Sequence, residues 1–89
     1  MTTVVNIKHD KFDVYIGRGS KWGNPFHIGK DGTRAEVIEK YQEYILSKPE
    51  LLDALDELMG KRLGCHCKPK ACHGDVLVGL LDGTIERLP

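Results

Sequence analysis

Two apolar stripes in the middle of the chain, each with its own start and stop signals, restrict the fold more than any other feature. Thr33-Arg34-Ala35-Glu36 is a capping box, with Thr33 as the cap and Glu36 reaching back three residues later. Val37, Ile38, Tyr41, Tyr44 and Ile45 then recur at helical spacing. Pro49 breaks that helix and suits the first turn of the next. Leu51, Leu52, Leu55, Leu58 and Met59 form the second stripe, with Gly60 at its C-cap position. Both stripes read as core. Short strand-like runs flank the pair: Val4–Lys8 and Val14–Ile16 before it, bounded by the polar turn His9–Asp13, and Lys61–Cys67 after it. Val76, Leu77, Leu80 and Leu81 give a third, short helix closed by Gly83, and the tail Thr84–Pro89 reads as an edge strand or a frayed end. The order β-β-α-α-β-α implies an α/β or α+β fold, a sheet of three to four strands with about three helices packed on it. At 89 residues, 1–89 is one domain, without internal repeats.

A domain of this size buries only about 60–65% of the surface its unfolded chain exposes. A metal, a disulfide or a partner subunit often supplements such a core. The chain carries 13 basic and 13 acidic residues, so bulk charge makes no case for nucleic acid or membrane as partner. Placement is less even. Lys61, Arg62, Lys68 and Lys70 stand without an acid between Leu58 and Gly74, and Arg18, Lys21, Lys30 and Arg34 stand against Asp31 alone. No stretch approaches the ~18 apolar residues of a membrane helix. The first residues lack the pattern of a signal peptide. The expectation is a cytoplasmic protein with reduced thiols. The sequence sets no oligomeric state.

All three cysteines fall in the segment Cys65-His66-Cys67-Lys68-Pro69-Lys70-Ala71-Cys72-His73-Gly74-Asp75. An odd number so closely spaced is poor disulfide arithmetic and reasonable ligand arithmetic. Strand alternation puts Cys65 and Cys67 on one face and His66 on the other. The turn through Pro69 brings back Cys72 and His73, at the N-terminus of the third helix. Cys65, Cys67, Cys72 and His73 make a Cys₃His set, which suits zinc. Adjacent Cys72 and His73 are awkward as joint ligands; three protein ligands would leave an open position for water. Two other readings stand beside the metal: a nucleophilic or redox cysteine, Cys67 above all, in a basic, helix-capping setting, and cysteines that are simply core. Asp75 is a candidate acid or base, or a partner fixing the His73 tautomer. Its plainer role is to complement the helix dipole.

The second candidate region is Gly17-Arg18-Gly19-Ser20-Lys21-Trp22-Gly23-Asn24-Pro25-Phe26. Glycines after a strand let a ligand approach the backbone. Arg18 and Lys21 supply positive charge, Trp22 a flat face, and arginine suits bidentate phosphate or carboxylate recognition. Arg34 in a first helical turn opposes the dipole, a cost that a nearby anion offsets. The glycines fit neither a Walker A loop nor the dinucleotide fingerprint. The plain alternative is a structural loop in which Trp22, Pro25 and Phe26 cover the core.

Taken together, Tyr15-Ile16-Gly17-Arg18-Gly19, Trp22-Gly23-Asn24-Pro25-Phe26, Thr33-Arg34 with Tyr41, and Leu63-Gly64-Cys65-x-Cys67 with Cys72-His73-Gly74-Asp75 resemble the domain-of-unknown-function family DUF4326 of bacteria and phages. The resemblance runs from about Val4 to Leu81. It implies a stand-alone domain and no settled activity. It also implies that the position of His66 is often a tryptophan, which makes His66 a poor candidate for an essential ligand. The expectation is a zinc-containing domain that binds a nucleotide, nucleobase or other anionic small molecule through Arg18, Gly19, Lys21, Trp22, Asn24 and Arg34. Hydrolysis or group transfer is the chemistry for an enzyme of this kind. The alternative is a structural-zinc module for nucleic acid or protein.

Overall fold

The structure, a computed structural model, describes residues 2–66 and 70–86. Three strands form one sheet: β1 (Thr3–Asn6), β2 (Val14–Tyr15) and β3 (Arg62–Cys65). Three helices, α1 (Arg34–Leu46), α2 (Pro49–Ala54) and α3 (Gly74–Asp82), complete a small α+β domain in the expected order, α2 running on into a 3₁₀ turn at Leu55–Leu58. Cys67 lies outside the described residues, as does the end of the tail. The described part of the tail makes no strand. Gly83 takes a left-handed conformation, φ 86°, after α3. The Ile85 N–H then bonds back to the Gly79 carbonyl.

The sheet order is β1-β3-β2, and both outer strands run parallel to β3. The first two strands therefore do not pair with each other. Residues 7–13 carry the chain across one face of β3, from its first edge to its second. Gly64 permits that crossing, since a Cβ there would stand 2.6 Å from Phe12 and 2.7 Å from Ile7. On the other face Leu63 and Cys65 enter the core, as strand alternation requires. Asp13 fastens the end of the crossing. Its N–H donates to the Arg62 carbonyl and its carboxylate accepts the Arg62 N–H.

The helices form where local chemistry starts and stops them. The Thr33 hydroxyl accepts the Glu36 N–H while the Glu36 carboxylate accepts the Thr33 N–H, and those bonds hold the Glu36 carboxyl below its usual pKa. Pro49 is accepted in the first turn of α2, where its missing N–H costs no bond. α1 buries Val37, Tyr41 and Ile45, every fourth residue. α3 buries Val76, Leu77 and Leu80. Each such aliphatic side chain contributes about 1.5–3 kcal/mol when fully buried. The core joins these to Ile16, Trp22, Leu55, Leu58 and Leu63. The start of α3 lies close on the sheet because Gly74 has no side chain; a Cβ there would meet Ile16 at 2.8 Å and Val4 at 2.9 Å.

Candidate functional site

Because the strands are parallel, the segments that follow β2 and β3 leave from the same edge of the sheet. Ligand crevices in open α/β sheets lie at such carboxyl ends. Here a cleft of about 400 Å³ opens there. The segment after β2 contributes Arg18, Asn24, Phe26 and Ile28; the first turns of α1 contribute Arg34 and Val37; the end of β3 contributes Cys65, and the residues just before α3 contribute Cys72 and His73. The cleft thus brings together both arginines and three of the four proposed metal ligands.

Each polar side chain is held by a definable contact. The Arg34 Nη1 donates to the Ala71 carbonyl at 3.0 Å, which ties the start of α1 to the segment before α3. The exposed Arg18 guanidinium lies against the ring nitrogens of His27. Asn24 donates to the Val37 carbonyl and accepts from the Phe26 N–H, so its amide latches the loop onto α1. The remaining surface is apolar, from Phe26, Ile28 and Val37, with Tyr15 and His66 in edge-to-face contact at the other wall.

On the floor, the sulfurs of Cys65 and Cys72 stand 3.3 Å apart, and both residues are buried. The Gly74 N–H, in the first turn of α3, donates to the Cys72 sulfur at 3.3 Å. His73 is also buried, and its Nε2 lies 2.7 Å from the Ile16 carbonyl oxygen. A carbonyl only accepts, so Nε2 carries the proton. Burial lowers the His73 pKa and the Arg18 charge adds to that, while the Ile16 bond and Asp75 act the other way. Among the described residues no group of three His, Cys, Asp or Glu side chains gathers to hold a metal. The zinc expectation also counted Cys67, which lies outside them.

Several candidates stand elsewhere. Lys21 pairs with Glu57 at 2.8 Å and is turned away from the cleft. Trp22, 2% exposed, is a core residue whose carbonyl accepts the Tyr41 hydroxyl at 2.7 Å; its ring offers no face to a ligand. Gly19 does not line the cleft. Asp75 is exposed, and its carboxylate accepts the Cys72 N–H across the start of α3. Sequence reasoning missed Ile28 and Val37 as cleft walls and treated Phe26 only as part of a lid. Their apolar character was visible, but their direction follows from how the loop meets α1.

The family DUF4326, described as a domain of unknown function, matches residues 5–83. An uncharacterized 12.4 kDa protein in the nrdA-td intergenic region of Enterobacteria phage T4 is 43% identical over 84 residues, 89% of this chain and 76% of that protein. Uncharacterized protein R718 of Acanthamoeba polyphaga mimivirus is 38% identical over 101 residues, 86% of this chain and 77% of that protein. No solved structure matches the chain. Among the described residues, no helix is long and apolar enough to cross a membrane.

Proposed function

The chain belongs to the DUF4326 family, a domain of unknown function, and from that premise we propose that it binds an anionic, ring-bearing small molecule of the nucleotide class in the cleft at the carboxyl ends of β2 and β3. The observation that carries this reading is the pairing of Arg18 and Arg34 on one cleft whose walls are otherwise largely apolar. Arginine presents a planar fork that matches phosphate or carboxylate oxygens. Phe26, Ile28 and Val37 offer the apolar surface that a base or similar ring would cover. The volume lies within the range of small-molecule sites, at the lower end. A hydrolase or transferase built on this cleft would draw its reacting group from the thiols beneath.

The sulfur pair supports zinc as a second reading. Two thiolates on tetrahedral zinc, at about 2.3 Å from the metal, stand roughly 3.8 Å from each other. Cys65 and Cys72 are near that spacing. Cys67 would be the third donor, and His73 would bind only through Nδ1, since its Nε2 faces Ile16.

Thermal melting in the presence of nucleoside mono-, di- and triphosphates and free nucleobases tests the cleft. A ligand at 100 times its Kd adds about 2.7 kcal/mol and raises Tm accordingly. No shift across that panel, with salt-sensitive binding of RNA or DNA instead, would overturn the proposal in favour of a nucleic-acid module. Metal analysis of protein purified without chelator tests the second reading; one equivalent of zinc, lost in Cys72→Ala, is the result expected of it.

A further inference from the structure

We propose that Cys65 and Cys72 are a redox dithiol, which reduces an acidic small-molecule disulfide admitted by the cleft. The inference rests on the cleft as a ligand site and names a chemistry for its floor. Two buried thiols stand 3.3 Å apart, and a modest closing motion brings them to disulfide distance. They come from separate elements, one ending β3 and one preceding α3, so the pair is assembled by the fold. Both line the floor of the cleft. His73, the neighbouring imidazole, is engaged with Ile16 through its Nε2.

The geometry also distinguishes the two roles. The Gly74 N–H, in the first turn of α3, donates to the Cys72 sulfur at 3.3 Å. Cys72 is the attacking sulfur. Its thiolate attacks one sulfur of the bound disulfide; the S–S bond breaks, and the departing thiolate takes up a proton. Cys65 then gives up its proton and attacks the Cys72 sulfur of the mixed disulfide, the Cys65–Cys72 bond forms, and the second thiol leaves protonated. Two protein thiols become one disulfide and the substrate gains two electrons and two protons. A thiol reductant reopens the pair for the next turnover. Arg18 and Arg34 at the cleft favour a disulfide that carries acid groups.

The test uses the whole chain, reduced and then freed of reductant, with oxidised glutathione as the acidic disulfide and cystamine as a basic one. Thiol titration and peptide mass mapping follow the products. Wild type is expected to form the Cys65–Cys72 disulfide and release two thiols of glutathione per chain. Cys65→Ser is expected to stop at a glutathione adduct on Cys72. Glutathione disulfide is expected to react several-fold faster than cystamine, an advantage that shrinks in Arg34→Gln. Failure to form the Cys65–Cys72 bond in wild type overturns the proposal, whatever the variants do. So does pairing with Cys67 instead, or bound zinc that leaves the thiols inert until it is chelated. Equal rates with the two reagents overturn the acidic substrate. Nucleotide melting reads the cleft independently of the thiols, so the failure of either reading is visible without the other.

Discussion

The Nε2 of His73 donates to the carbonyl oxygen of Ile16 across 2.7 Å, and so bonds the start of α3 to the chain at the end of β2. The ring is buried and stands edge-on to Tyr41, with centroids 4.9 Å apart. Burial lowers its pKa below the ordinary 6.5. The stability it confers is therefore complete above pH 6.5 and declines as pH falls from there through the lower folded value. Urea melts between about pH 8 and about pH 5 are expected to show this loss. His73→Gln retains an N–H donor and does not titrate, so its stability should change less over the same interval. Parallel curves for the two proteins would show that His73 has no part in the acid sensitivity.

Tyr41 and Trp22 make the corresponding bond inside the core. The Tyr41 hydroxyl donates to the Trp22 carbonyl, and its burial also raises the phenol's pKa. Tyr41→Phe keeps the ring and leaves a buried carbonyl unpartnered. The expected cost is about 1–3 kcal/mol, read as a lower urea midpoint at unchanged slope.

Gly64 and Phe12 test the crossing of β3. Gly64→Ala forces Phe12 and Ile7 outward and is expected to cost about 1–3 kcal/mol. Phe12→Ala in the same chain should restore part of that loss, because it empties one of the two obstructed positions. An identical cost with either residue at position 12 would mean that residues 7–13 do not cross there.

The sequence revealed what local chemistry decides and little of what distance decides. The capping box at Thr33, the break at Pro49 and the stop at Gly83 each act within a few residues, and the helices begin and end close to them. The sheet was legible only as three short runs. β2 has two residues, and its partner β3 lies some fifty positions later, so neither its parallel direction nor its place beside β3 has a local signal. In the site, Arg18, Arg34, Cys65, Cys72 and His73 were recognisable by residue type, and the fold gathers them on one cleft. Lys21 and Trp22 had equally suitable chemistry. Their directions are set by Glu57 and Tyr41, which no inspection of the glycine-rich loop reveals.

Arg34 gives the sharpest test of the cleft, because its guanidinium already shows how it is aimed. One nitrogen donates to the Ala71 carbonyl, and the side chain lines the cleft beside Cys72. Losing a charged hydrogen-bond donor to an anion costs about 1.5–3 kcal/mol, which is roughly a 10- to 150-fold rise in Kd. Arg34→Gln is expected to weaken the nucleotide identified by melting by that factor. Arg34→Lys, which keeps the charge and loses the fork, should fall between it and wild type. Lys21→Gln removes a charge that the fold has turned toward Glu57, and should leave Kd unchanged. Isothermal titration at two salt concentrations checks all three, with stronger binding at the lower salt. If Lys21→Gln weakens the nucleotide as much as Arg34→Gln does, general surface charge holds the ligand and the cleft does not.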